Sequence, residues 1–264
     1  MPFFIVKVSI VSDNKVFVLR GYKAEWGFSV LIEGRETILL DAGGSGVAFE
    51  NLIAMQKPMP SIIVLSHGHY DHTGGLRPFL NQKVRLYAHP DAFLPRYFEG
   101  RYVGIPYKKE LVTSCSQLIE HREPVEIEKN VWALGEIPRI YETALLKDSY
   151  LVRGGRKETD EIKDDQALAI KGENGVTLIL GCCHSGLRNT VKWAEEVAGD
   201  EVRAIIGGTH LIAYDEGKIV EILKNLRVDF IAPTHCTGMR AEIVMAKIMG
   251  DKYKTAGVGS EFEI

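Results

Sequence analysis

The pattern of apolar and polar positions predicts a chain that is rich in strands at first and alternates strands with helices later. Apolar runs bounded by Gly, Pro, Asn or charged residues predict strands at Phe3–Val11, Phe28–Ile32, Thr37–Leu40, Ile62–Leu65, Val84–Tyr87, Gln166–Lys171, Val176–Leu180, Arg203–Ile206 and Asp229–Ala232. Apolar residues spaced three and four apart predict helices at Ala48–Met55, Leu187–Val197, Lys218–Leu226 and Ala241–Met249. This order of elements indicates the α/β (α+β) class. A pair of sheets with helices on the outer faces is consistent with it.

One long segment departs from the periodic pattern. Residues 93–107 are aromatic, punctuated by Gly and Pro, and carry Arg96 and Arg101, whereas residues 153–165 are almost wholly charged or small. The second stretch has the composition of an exposed, mobile loop. We therefore expect a single domain over residues 1–264, with an aromatic and charged insertion at about 93–165.

Composition narrows the class of protein. The chain has 264 residues, of which 45% are hydrophobic and 25% charged, as in an ordinary soluble globular protein. A net charge of -3 provides no basic field, so a nucleic-acid partner is not expected. The early apolar run Phe3–Ile10 is broken by Lys7 and is too short for an export signal or a membrane span. We expect a cytoplasmic protein without membrane contact, whose four cysteines are reduced thiols. The sequence does not indicate an oligomeric state.

The run Ser-His-Gly-His-Tyr-Asp-His-Thr-Gly-Gly-Leu at residues 66–76 carries the strongest chemical signal. It places three imidazoles (His67, His69 and His72) and the carboxylate of Asp71 within six residues of a chain that has only eight histidines. Imidazole nitrogen and carboxylate oxygen are ligands for zinc, iron and manganese. The alternative, a solvated turn that happens to be rich in His, is much less probable. The run therefore predicts a metal site.

Three further histidines follow predicted strands. His184, His210 and His235 each lie within four residues after an apolar run, as His67 does. Side chains at strand ends collect at one edge of an α/β sheet, where loops carry ligands. His89 and His121 lack this context, and we expect them either at the surface or in contact with residues that bind the metal.

These residues resemble the metallo-β-lactamase fold superfamily. The resemblance rests on His67-x-His69-x-Asp71-His72, on Asp41 upstream and on the later strand-end histidines. It implies an αββα sandwich with a metal site along one edge of the two sheets. Segments 135–139, 181–190, 207–211 and 233–238 resemble the branch labelled 7,8-dihydropterin-6-methyl-4-(β-D-ribofuranosyl)aminobenzene 5′-phosphate synthase.

The resemblance implies a set of site residues and cofactors. Two divalent metal ions are expected, with zinc favoured over iron or manganese, and their ligands are His67, His69, Asp71, His72, His184 and His235. Residues 122–183 contain no His, and the strand that usually ends in Gly-Asp ends here in Gly181-Cys182. His184 is favoured as the replacement ligand, and Cys182 is the alternative. Asp41 is expected to accept the other N–H of a ligand imidazole.

The resemblance also implies an enzyme that acts on a small molecule. It would transfer a pterin-methyl group or hydrolyse a phosphorylated or cyclic substrate, with Asp71 as general base. His210 would contact the substrate or support a metal ligand and is less favoured as a ligand itself. Candidates for stacking on a pterin or meeting a phosphate are Arg96, Tyr97, Tyr102, Tyr107 and Arg139. Simple packing of the insertion onto the core explains the aromatic residues equally well.

Two alternative functions stay open. A flavodiiron-type oxidoreductase is the first, although that class has Glu where His69 stands and carries a flavodoxin-like domain that this chain lacks. A non-catalytic, metal-bound sensor or binding protein is the second, and the intact ligand set argues against it.

Overall fold

The computed structural model describes residues 5–264 and forms two large sheets, a smaller third sheet and helices. The strands are β1 (Lys7–Ser12), β2 (Ser29–Glu33), β3 (Thr37–Leu40), β4 (Ile62–Val64), β5 (Arg85–Ala88), β6 (Arg96–Phe98), β7 (Arg101–Tyr102), β8 (Gln117–Glu120), β9 (Val125–Glu128), β10 (Val131–Ala133), β11 (Ser149–Arg153), β12 (Arg156–Thr159), β13 (Ala167–Gly172), β14 (Gly175–Leu180), β15 (Val202–Gly208), β16 (Phe230–Thr234) and β17 (Glu261–Glu263). The helices are α1 (Val47–Ala54), α2 (Tyr70–Thr73), α3 (Lys109–Cys115), α4 (Leu187–Ala198), α5 (Glu216–Lys224) and α6 (Met239–Met249).

Each large sheet changes from antiparallel to parallel pairing along its width. Within residues 5–264 the first sheet has the order β17-β1-β2-β3-β4-β5-β8, and it is parallel from β3 to β8. The second has the order β16-β15-β14-β13-β10-β9 and is parallel from β14 to β16. Parallel neighbours bring the carboxyl ends of their strands to one edge, and the segments that follow these strands form the candidate site.

Alternation along the strands builds the four layers. On the first sheet Val30 and Val64 face the second sheet, where they meet Ile179 and Ile206 in a shared core. Their neighbours point the other way because side chains alternate between faces of a strand. Leu31, Leu39 and Ile63 pack with Leu52 of α1, and Leu178, Ile205 and Ile231 pack with apolar residues of α4, α5 and α6. The architecture is therefore an αββα sandwich, which confirms the predicted fold.

The predicted strands and helices agree with the structure within a few residues at each end. Residues 3 and 4 of the predicted first strand lie outside the described part of the chain. The segment 93–165 is divided: β8 joins the first sheet, β9 and β10 join the second, and β6, β7, β11 and β12 form the third sheet. The expectation of an exposed loop over 153–165 is wrong for its last part, because Asp160, Ile162, Asp164 and Asp165 are buried there.

None of the helices within residues 5–264 has the length and apolar character needed to cross a bilayer. The four cysteines, all in the described part of the chain, are free thiols.

Candidate metal centre

His67 and His69 lie on a tight loop between β4 and α2, and Asp71 and His72 lie on α2 itself. The backbone N–H of Gly68 donates to Asp164 Oδ2 at 2.8 Å, which fixes the loop from behind. A Cβ at this position would lie 2.1 Å from the carbonyl oxygen of Ala92, so only glycine allows so close a backbone approach. The loop therefore presents His67 and His69 in one arrangement.

His67, His69 and His184 form the first group of donors. Their ring nitrogens lie within 4.8 Å of one another, and all three residues are buried. His67 Nε2 lies 2.9 Å from His69 Nδ1. Burial lowers the pKa of all three imidazoles, that of His69 to about 3, because the charged form is poorly solvated there. Neutral imidazoles with free lone pairs are what a metal ion requires.

Asp71, His72 and His235 form the second group. Asp71 Oδ2 lies 3.4 Å from His235 Nε2, and the ring centroids of His72 and His235 are 4.9 Å apart. Burial alone would raise the pKa of Asp71, but the nearby imidazoles, His72 first, hold it below its usual range. Burial would lower the pKa of His72, yet the Asp41 carboxylate raises it to about 9. The group therefore combines an ionised carboxylate with two imidazoles.

Cys182 lies between the two groups. Its Sγ is 3.1 Å from His72 Nε2, and it clusters with His67 and His72 within 4.8 Å. Burial raises the pKa of this thiol well above its ordinary value. His184 and Cys182, treated as alternatives in the sequence, both face the cluster: His184 completes the first group, and Cys182 occupies the position between the groups.

Each of four imidazoles is held at Nδ1, which directs Nε2 toward the cluster. The partners are Ser66 Oγ for His67 (2.9 Å), Asp41 Oδ2 for His72 (2.6 Å), the Ala144 carbonyl oxygen for His184 (2.9 Å) and Asn14 Oδ1 for His235 (3.0 Å). Partners of this kind fix the tautomer and orientation of metal-binding histidines. The structure gives Asp41 the contact expected of it.

Three supporting residues were missed in the sequence. Ser66 belongs to the motif run, but the sequence predicts no role for it. Asn14 follows β1, far from the motif in sequence, and holds His235. Trp26 donates from Nε1 to Asp71 Oδ2 at 3.1 Å. Only Ser66 carries a local signal, because it adjoins His67. The contacts of Asn14 and Trp26 depend on how the first sheet folds.

Four of the nine non-glycine residues with positive φ among residues 5–264 lie at or next to the cluster. Asp41, Cys183, His210 and His235 have positive φ angles of 60°, 63°, 50° and 48° although none is glycine. Such conformations cost roughly 1–3 kcal/mol each and persist where the surrounding structure enforces them, often at functional sites. Here they turn side chains inward just beyond β3, β14, β15 and β16.

His210 lies beside the first group. Its ring centroid is 4.2 Å from that of His184, and its buried Nδ1 has no hydrogen-bond partner among the described residues. His210 also clusters with Cys182 and Cys236 within 4.8 Å. The structure thus places it next to the donors, on the side of the cysteines.

Two of the five residues predicted to contact the substrate are engaged in contacts within the protein. Arg96 is fully buried, and its guanidinium pairs with Asp164 at 2.5 Å and with Asp160 at 3.5 Å, so the expectation of a phosphate contact is wrong for this residue. Tyr107 donates to the Gly74 carbonyl at 2.5 Å and packs on the core below α1. Both residues support the loop rather than face a ligand.

The remaining candidates are more accessible. Tyr97 stacks on Tyr150 with centroids 5.0 Å apart, and Tyr102 meets the edge of Tyr97 while remaining about half exposed. Arg139 is half-buried, donates to the Ile162 carbonyl at 2.8 Å and lies 3.5 Å from Ser185 Oγ, next to His184. Arg139 is therefore the cation among these more accessible candidates, and its neighbour Ser185 adjoins His184 in the sequence.

His89 and His121 are buried, so the expectation of surface positions is wrong. His89 accepts the N–H of Asp91 and lies 2.9 Å from Glu136, and His121 bonds the Glu123 carbonyl. These contacts give both histidines a structural place outside the cluster.

The residues present fit a metal centre. His184 Nε2 and His235 Nε2, which are directed toward the cluster, are buried and have no hydrogen-bond partner among residues 5–264, a costly arrangement unless a cation uses such nitrogens. The two groups of three donors are linked through His67, His72 and Cys182, whose ligand atoms lie within 4.8 Å of one another. Nitrogen, oxygen and one thiolate suit zinc, and also iron or manganese.

Comparison with known proteins agrees with this geometry. The family model of the Metallo-beta-lactamase superfamily matches residues 27–192, well over half of the chain. The chain belongs to this superfamily, whose members typically bind divalent metals, and the resemblance inferred from the motifs is confirmed.

Three relatives are similar to this chain over nearly its whole length. An uncharacterised protein of Methanocaldococcus jannaschii is 34% identical over 261 residues, covering 95% of this chain and 98% of that protein. The 7,8-dihydropterin-6-methyl-4-(beta-D-ribofuranosyl)-aminobenzene-5'-phosphate synthase of the same organism is 29% identical, covering 90% of this chain and 92% of the synthase. A solved metal-dependent hydrolase of the beta-lactamase superfamily has a TM-score of 0.90 and 28% identity, covering 98% and 99% of the two chains.

Proposed function

We propose that this protein is a metal-dependent enzyme with a dinuclear centre. One metal position is formed by His67, His69 and His184, and the other by Asp71, His72 and His235. The observation that carries the proposal is the convergence of these two buried groups on either side of Cys182. Two metal positions in one buried site suit chemistry at an oxygen of a small substrate.

Bound divalent ions would polarise a substrate oxygen and lower the pKa of a bound water to about 7. The protein's own part is to hold the donors and to manage protons. Asp71 is kept ionised by its imidazole neighbours and is oriented by the Trp26 N–H, so Oδ2 can bind a cation or accept a proton. We assign both roles to Asp71, with the proton-accepting role applying if water is the nucleophile.

The proposed substrate is a small phosphorylated or pterin-like molecule. The synthase relative supports a pterin-type substrate, and the solved metal-dependent hydrolase supports a hydrolytic reaction. The two proposed reactions are transfer of a pterin-methyl group and hydrolysis of a phosphorylated or cyclic compound. Arg139 is the proposed phosphate contact, and the partly exposed rings of Tyr97 and Tyr102 are proposed stacking surfaces. The triad that contains His69 supports this class over a flavodiiron oxidoreductase.

Metal content and turnover together test the proposal. The chain is stripped with a chelator, reloaded with zinc, iron or manganese, and assayed against diphosphates, phosphodiesters, thioesters and lactones beside the pterin condensation. We expect turnover of one class only after reloading, and loss of both metal and turnover in a His67→Ala/His69→Ala variant.

A His121→Gln variant is the matched control, because His121 is a buried histidine outside the cluster. It should keep its metal and its activity. Unchanged metal content in the double variant would contradict the site, and turnover that is equal with and without metal would contradict the mechanism.

A further inference from the structure

Three neighbouring parallel strands deliver sulfur and nitrogen donors to one place. Leu180 of β14 pairs with Gly207 of β15, which in turn pairs with Pro233 of β16. The residues two or three positions beyond these register partners are Cys182, His210 and Cys236. Because the strands end level with one another, their following side chains meet at the sheet edge.

The three side chains form a compact, buried group. Both Sγ atoms and a ring nitrogen of His210 lie within 4.8 Å of one another, and each residue is at least nine-tenths buried. The Cys236 Sγ lies 3.5 Å from the Cys182 carbonyl oxygen. A Cβ on Gly208 would lie 2.7 Å from that Sγ, so glycine there leaves room for the Cys236 side chain.

His210 gives an independent sign of a missing partner. Its Nδ1 is buried without a hydrogen bond from any described residue, and its backbone has the left-handed φ of 50°. An unpaired buried nitrogen and a left-handed backbone at a non-glycine residue are both unfavourable. A ligand that accepts the lone pair of this imidazole would offset both costs.

Cys183 shows what a cysteine used only for packing looks like in this chain. It is adjacent to Cys182 and equally buried, but its Sγ lies 3.3 Å from Thr190 Oγ1 and it belongs to the core beneath α4. Cys182 and Cys236 instead face imidazoles. The two kinds of buried thiol therefore differ in their surroundings and not in their exposure.

We propose that Cys182, His210 and Cys236 form a third metal position, which shares Cys182 with the two-metal centre and takes a thiophilic ion such as zinc. Two thiolates and one imidazole are a donor set typical of zinc. On binding, each thiol loses its proton to solvent and no electron is transferred. For His210 this assignment replaces the substrate contact expected from the sequence. The third position does not depend on which reaction the centre performs.

Metal stoichiometry of the full chain tests the proposal. Metal-free protein is dialysed against zinc, and bound metal is counted by mass spectrometry in the wild type and in Cys236→Ser, His210→Ala and Cys183→Ser variants. We expect three equivalents in the wild type and in Cys183→Ser, and one fewer in Cys236→Ser and in His210→Ala. Circular dichroism shows whether each variant is folded.

Cobalt absorption provides a second measurement that needs no activity. Cobalt bound by thiolates gives a charge-transfer band, which we expect to weaken in Cys236→Ser and to persist in His67→Ala/His69→Ala. Loss of the band in both would mean that the cysteines bind metal only as part of the two-metal centre, and this result would overturn the third position alone.

Two further outcomes would overturn it. The first is a wild type that binds only two equivalents at saturation, with the proposed two-metal centre left intact. The second is a free-thiol count that falls by two in the absence of reductant, which would show that Cys182 and Cys236 are joined by a disulfide instead of by a metal ion.

Discussion

Asn14 holds His235 at two points. Its side-chain oxygen lies 3.0 Å from the ring Nδ1 of His235, and its side-chain nitrogen donates to the His235 carbonyl at 3.1 Å. The neighbouring Asp13 accepts the backbone N–H of His235 at 2.8 Å. The position of the last donor along the chain is therefore set by residues that follow the first strand.

Replacing Asn14 by Ala should weaken metal binding at the second group. The imidazole of His235 would lose the contact that fixes its tautomer, and losses of this kind typically lower metal affinity 10–100-fold. Competition with a chromophoric chelator measures the change. Asn174→Ala, in the exposed hairpin turn between β13 and β14, is the matched control and should bind metal like the wild type.

Replacing Arg96 by Met should destabilise the protein by about 3–5 kcal/mol, because buried Asp160 and Asp164 would lose their cation. Asp164 also holds the N–H of Gly68, so the metal loop should loosen as well. Urea unfolding of the metal-free protein measures the first effect. A variant of wild-type stability that had lost only substrate affinity would instead indicate a direct phosphate contact.

Gly68→Ala should cost about 1–3 kcal/mol, because the added methyl group meets the Ala92 carbonyl oxygen and the backbone has to shift. Gly46→Ala is the comparison, since a Cβ there has open space and its φ of -74° suits any residue. Thermal unfolding of the two variants should separate them clearly. Equal melting temperatures would show that the loop tolerates displacement.

We expect Asp91 to make the free energy of unfolding depend on pH in the acid range. Its hydrogen bonds from Arg153 lower its pKa from 3.8 to about 2. The folded state therefore binds this proton less tightly than the unfolded chain, and the stabilisation is present above about pH 4 and is lost as the pH falls toward 2.

The free energy of unfolding of Asp91→Asn should accordingly lie below that of the wild type above pH 4, and the two should converge toward pH 2. Denaturant titrations of metal-free protein across this range measure the difference. Asp251→Asn, at an exposed position, should follow the wild type throughout. A difference between Asp91→Asn and wild type that stayed constant with pH would contradict the ionic origin.

The sequence predicted the elements well because continuous and alternating apolar runs are local properties. Thr37–Leu40 has the predicted bounds, since its residues are buried on both faces between charged neighbours. The motif His67-x-His69-x-Asp71-His72 was equally local. The strand-end positions of His184 and His235 could also be inferred, because parallel strands end at one edge.

The predictions that were wrong or missing concern residues whose contacts are distant in the sequence. Arg96 was assigned to a phosphate because its partners Asp160 and Asp164 lie more than sixty residues away in a stretch that looks exposed. The role of Asn14 needs β1 and β16 to end close together in space. Charge and spacing along the chain contain no measure of either distance.

The spread of the donors has a consequence for how each molecule matures. His67 and His72 follow β4, whereas His235 follows β16, which is near the end of the described chain. A nascent chain whose last parallel strand has not joined the sheet holds bare imidazoles and an incomplete set of donors. The second group of donors is thus completed late in folding, and a molecule that stalls before that strand docks lacks His235 from its centre.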